Sequence, residues 1–260
     1  MPSLLVTVLT CACFFAAADR LPFTGTWRLN LEKTEGPKKP YETELGNGFY
    51  KCFTCDPKLE VKADGQNHPV SGHPSFDMMN VKIISERVVE TTSTKEGKVV
   101  SEGTETVSAN GNRLVSEYSY YPPNNPEPVK SKVQFRRVGT IKPGVHAVSG
   151  AWVLDKMDSI SENAREITYE QSADGMSETD PTGGSYSAKF DGKEYPVKGD
   201  NSVDTVVLKR INERTIEETY KYQGKIKLTN EITISADGKT MTMAWRDSNG
   251  FSGKSILERK

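Results

Sequence analysis

Asp64-Gly-Gln-Asn-His-Pro-Val-Ser-Gly72 returns as Asp191-Gly-Lys-Glu-Tyr-Pro-Val-Lys-Gly199. The match keeps a constant offset of 127 residues, without a gap, from residues 64–118 to residues 191–245. Turn and strand positions both repeat: Asp77 with Asp204, Arg87 with Arg214, Gly97-Lys98 with Gly224-Lys225, and Ser108-Ala-Asn-Gly111 with Ser235-Ala-Asp-Gly238. Outside the block the copies open alike, Gly25-Thr-Trp27 against Gly150-Ala-Trp152, and Val133-Gln-Phe-Arg136 aligns with Ile256-Leu-Glu-Arg259 at their ends. A period this long exceeds the roughly 20 to 50 residues of a solenoid repeat and describes a duplicated domain. In a chain of 260 residues each copy is long enough to bury its own core. Residues 139–147 read as the linker, which predicts units over residues 19–141 and 142–260.

Within each copy the apolar residues alternate. Residues 215–222 put Ile216, Glu218, Tyr220 and Tyr222 on one face and Thr215, Glu217, Thr219 and Lys221 on the other. Leu228, Asn230, Ile232 and Ile234 follow the same rule, as do Met241, Met243 and Trp245. Between such runs stand Asn-Gly and Asp-Gly pairs, which tolerate the positive φ of tight hairpins. Each unit is therefore expected to form an antiparallel meander of about eight to ten short strands. The irregular stretches are a loop at residues 32–40 and a proline-rich hairpin tip at residues 121–128. Near residues 156–164, Ser159 and Glu162 have capping-box spacing for one helical turn. A meander with one apolar face hides it as a sandwich or as a closed barrel, and sequential hairpins suit the barrel.

Lys and Arg total 34 against 35 Asp and Glu, without a long basic tract. That balance excludes the electrostatic footprint of a nucleic-acid binder. Residues 4–18 form an apolar run too short to span a bilayer, and Ala16-Ala17-Ala18 offers an A-x-A cleavage site. The expectation is a signal peptide over residues 1–18, export to the periplasm or outside the cell, and no membrane span after cleavage. Cys11 and Cys13 would leave with the signal, and the mature chain would keep Cys52 and Cys55.

Phe23-Thr-Gly-Thr-Trp27 and Val148-Ser-Gly-Ala-Trp152 resemble the Gly-x-Trp opening of the calycin group, which includes lipocalins and fatty-acid-binding proteins. Ile256-Leu-Glu-Arg-Lys260 looks like the terminal strand of the fatty-acid-binding branch. Together with Lys189-Phe-Asp-Gly-Lys-Glu-Tyr-Pro-Val-Lys-Gly199 and Ser235-Ala-Asp-Gly-Lys-Thr-Met-Thr242, these segments are similar to an uncharacterised group of exported bacterial lipocalin-like proteins. The resemblance implies an all-β fold of two tandem antiparallel up-and-down β-barrels, with Trp27 and Trp152 closing the barrel ends. It implies no activity.

Cys52-Phe-Thr-Cys55 leads into Asp56-Pro57 and an alternating strand, whereas a reactive thiolate wants a helix N-terminus. A local disulfide of an oxidising compartment is the preferred reading; redox exchange, a metal site shared with His68 and His73, and free thiols are the others. No serine-nucleophile motif and no phosphate-binding glycine loop is organised, so no catalytic residue, metal or cofactor is assigned. Asp77 and Asp204 read as strand-start carboxylates that accept backbone hydrogen bonds. Alternation turns Arg210 and Glu218 inward. Arg210 then either holds a ligand carboxylate, as the fatty-acid-binding resemblance implies, or neutralises Glu218.

These readings describe an exported, non-enzymatic binding protein for a small hydrophobic or amphipathic molecule, with Arg210, Glu218, Tyr220, Tyr222, Met243 and Trp245 as the ligand-binding residues of the second unit. The alternative is a structural or protein-interaction module with filled barrels and no ligand.

Overall fold

The computed structural model describes residues 21–140, 142–180 and 182–260. The expected signal peptide and its cleavage site lie outside the described residues, as does Ile141 at the expected unit boundary. The first half contributes β1 (Gly25–Leu29), β2 (Tyr41–Gly46), β3 (Phe49–Cys52), β4 (Leu59–Lys62) and β5 (Asn67–Pro69). It continues with β6 (Met78–Ser85), β7 (Val88–Lys95), β8 (Lys98–Val107), β9 (Arg113–Tyr120) and β10 (Val129–Val138). The second half contributes β11 (Gly150–Ile160), β12 (Glu166–Gln171), β13 (Gly175–Thr179), β14 (Ser185–Lys189) and β15 (Glu194–Lys198). The last are β16 (Thr205–Asn212), β17 (Thr215–Tyr222), β18 (Lys225–Ile234), β19 (Thr240–Asp247) and β20 (Ser252–Arg259). A 3-10 turn, Glu162–Ala164, starts after Ser161, so the expected helical turn is there but begins later than Ser159, which stays in β11.

The pairings are antiparallel and mostly between strands consecutive in the chain, and they build a closed ten-stranded barrel and a second, barrel-like ten-stranded sheet. The reason is local. Asp and Asn side chains in the hairpins accept from the backbone N–H two residues on, as Asp191 does from Lys193 and Asp237 from Lys239, so each strand turns straight back on its neighbour. Asp77 and Asp204 sit at matched strand starts and accept from the backbone N–H groups of Glu96 and Gln223 across the next hairpin.

The barrels exchange their first strands. One closed barrel runs β1-β12-β13-β14-β15-β16-β17-β18-β19-β20. The other sheet runs β4-β3-β2-β11-β10-β9-β8-β7-β6-β5, with β4 and β5 joined by a turn but not paired. Thus β1 lies between β12 and β20, and β11 lies between β2 and β10. The expected contiguous units, residues 19–141 and 142–260, therefore do not coincide with the barrels. Because β10 turns back directly into β11, the meander of the first half carries on into its own closing strand. β1 is left to fill the matching gap in the other barrel.

The cores follow this exchange. Phe23 and Trp27 are buried among Tyr169, Leu208, Ile216 and Met241, whereas Val148 and Trp152 are buried among Leu45, Val81, Val89 and Leu114. Each indole N–H donates 2.8 Å to a carbonyl four residues back, of Phe23 and Val148 respectively. Each ring lies under a guanidinium: Arg259 is 4.1 Å from the centre of the Trp27 ring and Arg137 is 4.0 Å from that of Trp152. Arg137 also donates to the carbonyls of Gly111, Ala147 and Ser149, and Arg259 donates to those of Pro22, Thr24 and Gly238. The counterpart of Arg259 is thus Arg137 and not Arg136, a one-residue correction to the aligned ends. Gly25 and Gly150 are required beside these arginines. Their φ values are +136° and +135°, and an added Cβ would stand 2.7 Å and 2.4 Å from the respective guanidinium nitrogens.

Trp27→Ala removes a fully buried side chain and is expected to cost about 3–5 kcal/mol. In hydrogen exchange, the loss of amide protection should fall on β12 and β20 rather than on β2 and β10. The reverse pattern would contradict the exchanged topology.

Candidate functional site

Inward positions of five strands bring an acidic cluster into the barrel that contains β12 to β20. β13 supplies Glu178, β17 supplies Glu218 and Tyr220, and Tyr169, Tyr186 and Asn230 come from β12, β14 and β18. Register fixes the grouping: Glu178 stands opposite both Tyr169 and Tyr186, and Glu218 stands opposite Asn230. Glu218 is fully buried and Glu178 is 8% exposed. The Tyr186 hydroxyl donates to Glu218 Oε1, and Asn230 Nδ2 donates to Glu218 Oε2 at 3.2 Å. The Tyr220 hydroxyl lies between the two acids, 2.9 Å from Glu178 Oε2 and 3.4 Å from Glu218 Oε2.

Burial pushes both carboxyls above the usual range. For Glu178 the charge of Glu218 adds to that rise; for Glu218 donation from Tyr186, Asn230 and Tyr220 offsets part of it. The three tyrosines are themselves pushed well above their usual range, by burial and then by the acids, so they serve as neutral donors. Neither acid has a salt bridge among the described residues. Tyr169 faces both acids, yet its hydroxyl and Asn230 Oδ1 lack a well-formed hydrogen bond.

A cavity of about 490 Å³ runs from the barrel mouth down to this cluster. Apolar walls come from residues such as Ile167, Val197, Leu228 and Met243, and the acids' partners Tyr169, Tyr186, Tyr220 and Asn230 border its inner end. Over the mouth lie Asp56, His73, Pro74 and Ser75 of the first half. Asp56 is anchored there by Lys227 Nζ at 2.9 Å and Ser248 Oγ at 3.1 Å.

Of the expected ligand-binding residues, Tyr220 and Met243 line this cavity, and Glu218 lies behind it, bonded to its wall. Arg210, Tyr222 and Trp245 do not join them. Arg210 has the inward parity, but the end of β16 is exposed from Lys209 onward. Its guanidinium sits 4.2 Å from the centre of the Phe190 ring and donates to the Ala173 carbonyl, so it neither neutralises Glu218 nor faces the cavity. Tyr222, at the last position of β17, is half-buried outside the cavity lining. Trp245 borders the cavity of the other barrel, as does Phe251. Glu178, Tyr169, Tyr186 and Asn230 went unassigned in sequence. The available signal was Met176 and Glu178 at alternate positions of a short strand.

The other barrel holds a different interior, about 560 Å³ in volume, with Tyr41, Tyr50 and Glu105 on its wall. By register, Glu178 corresponds to Cys52, Tyr186 to Leu59, and Glu218 to Thr91. Cys52 is joined to Cys55 by a disulfide with a Cα–Cα distance of 5.5 Å. The Tyr41 and Tyr50 hydroxyls are 2.6 Å apart. Glu105 is enclosed by protein but borders the cavity; its Oε2 has no partner, and burial pushes its carboxyl up to about 7. Ser75 and Asp247 border both interiors. Among the described residues, no group of three or more His, Cys, Asp and Glu is placed to hold a metal. His68 instead meets Asp64 at 2.7 Å across a surface turn.

Comparison with protein-family models and with curated proteins finds no match to this chain.

Glu105 gives a pH signature. Its folded carboxyl binds a proton more tightly than the unfolded one, so the protein loses stability as pH rises from the ordinary value of 4.5 through about 7. Glu105→Gln should match the parent near pH 4 and exceed it by up to about 3 kcal/mol at pH 8. Urea denaturation at both pH values measures this.

Proposed function

We infer that this chain is an exported, non-enzymatic binding protein that holds a small amphipathic molecule inside the barrel of β12 to β20. The observation that carries the reading is the cavity of about 490 Å³ that ends on buried polar groups. It has the size and the composition of a small-molecule site, with apolar walls and a few converging polar groups at one end. A filled barrel built for protein contact would have no need of polar groups at that depth, where an unsatisfied hydroxyl or amide costs about 1–3 kcal/mol. The resemblance to exported lipocalin-like proteins agrees with this reading through the Gly-x-Trp strands and the ten-stranded meander. Export is supported by the apolar run of residues 4–18 and by the Cys52–Cys55 disulfide, which suits an oxidising compartment.

Native mass spectrometry of protein purified from its own host is expected to detect a small molecule retained by the folded chain. Binding of N-phenyl-1-naphthylamine, a neutral apolar dye, gives a second readout. Met243→Trp fills the cavity and should weaken dye binding by about tenfold or more, that is by at least about 1.4 kcal/mol. A folded Met243→Trp protein with unchanged dye affinity, together with no retained molecule, would favour the protein-interaction reading.

A further inference from the structure

The acidic cluster has acceptors to spare. The Tyr186 and Tyr220 hydroxyls and the Asn230 amide all donate to the carboxylates. Asn230 Oδ1 and the Tyr169 hydroxyl remain without a well-formed partner although Asn230 is 5% exposed and Tyr169 fully buried, and both border the cavity. Among the described residues no cationic side chain answers Glu178 and Glu218, which is an expensive arrangement for two neighbouring buried acids. The approach to them is acidic as well. Asp180, Asp200 and Asp247 line the outer cavity, and Lys227, the cation there, is held by Asp56.

Resting on the binding-protein reading above, we propose that this cavity takes a small amine with an apolar, ring-bearing body, its ammonium group seated at Glu178, which borders the cavity, with Glu218 close behind it. An ammonium is compact, brings up to three donors and needs no acceptor, which matches what the cluster lacks. The charge it carries is the one the two acids require, and the acidic mouth draws such a ligand inward. A carboxylate ligand meets like charge at every step, and an alcohol brings one donor and no charge. Arg210, the residue suited to a fatty acid, lies outside the cavity. The ring of the ligand packs among Tyr169, Tyr186, Tyr220 and Met243.

Seating the cation also displaces a proton. Among the described residues the two acids face Tyr169, Tyr186, Tyr220, Asn230 and, farther out, Asp180; burial, and for Glu178 the charge of Glu218, favours a protonated empty pair, and the ammonium replaces that proton. Affinity therefore rises with pH for as long as the amine stays charged. His73 at the mouth loses positive charge with the same sign, so the pH series is taken in His73→Gln.

Calorimetry with tryptamine, its alcohol tryptophol and its acid analogue indole-3-propionate tests the assignment. At pH 8 tryptamine should bind at least about tenfold tighter than tryptophol, and indole-3-propionate weakest, as expected where a charge pair is formed out of water. Glu178→Gln and Glu218→Gln should each erase most of that preference, with circular dichroism and urea denaturation showing that each variant is folded. Heats measured in phosphate and in Tris should differ, reporting the released proton. Equal binding of tryptamine and tryptophol, tightest binding of indole-3-propionate, or dye binding with no uptake of tryptamine would overturn the amine assignment and leave the binding-protein reading standing. Failure of the dye and of all three indoles would overturn both.

Discussion

In each sheet a strand from the opposite half lies between the first and the last strand of the meander, and in the barrel of β12 to β20 it completes the closure. The filling strand carries glycine, then tryptophan, and the facing strand carries the arginine that lies over the ring. In the barrel of β12 to β20 these are Gly25, Trp27 and Arg259; in the other they are Gly150, Trp152 and Arg137. The constraint is mutual. The arginine can satisfy three carbonyls and cover the indole only where glycine leaves room for the guanidinium, and the indole N–H must find its carbonyl four residues back. Everything that shapes either interior, from the order of strands to the inward parity of β12, is set once this strand is in place.

Given that frame, the two interiors diverge without strain on the scaffold. Equivalent positions carry Glu178 or Cys52, Tyr186 or Leu59, Glu218 or Thr91, and Asn230 or Gly103. One barrel concentrates two acids and three tyrosines behind an apolar chamber. The other holds Glu105 near a pair of bonded tyrosines and stiffens the β3 end with a disulfide. Inward-facing side chains of a barrel are coupled to one another far more than to the hydrogen-bonded ladder, so the chemistry inside changes while the ladder is kept.

The fold class was legible because alternation and Asp-Gly or Asn-Gly turns are local properties of the chain. Strand exchange was not. Gly25 and Gly150, Trp27 and Trp152, Arg137 and Arg259 are interchangeable as residue types, so sequence states what fits beneath an arginine without saying which copy provides it. The site was legible in part for related reasons. Parity placed Glu218, Tyr220 and Met243 correctly in the middle of long strands. It misplaced Arg210 because β16 runs beyond the enclosed interior, where an inward direction no longer means a buried one. It misplaced Trp245 because the β19–β20 hairpin end reaches over the neighbouring barrel. Glu178 escaped because β13 spans five residues between turns, too few for alternation to stand out.

The pairing of β1 with β20 has the same form as the pairing of β10 with β11: in each, a closing strand lies antiparallel beside the last strand of a meander, with tryptophan opposite or next to arginine. In one place residues 139–149 connect the two strands; in the other they are the first and last strands of the described residues. The strand neighbours thus form a ring of two arcs, which differ where β14 pairs with β15 and β4 does not pair with β5. A permuted chain, with β20 joined to β1 and opened between β10 and β11, would preserve every strand neighbour.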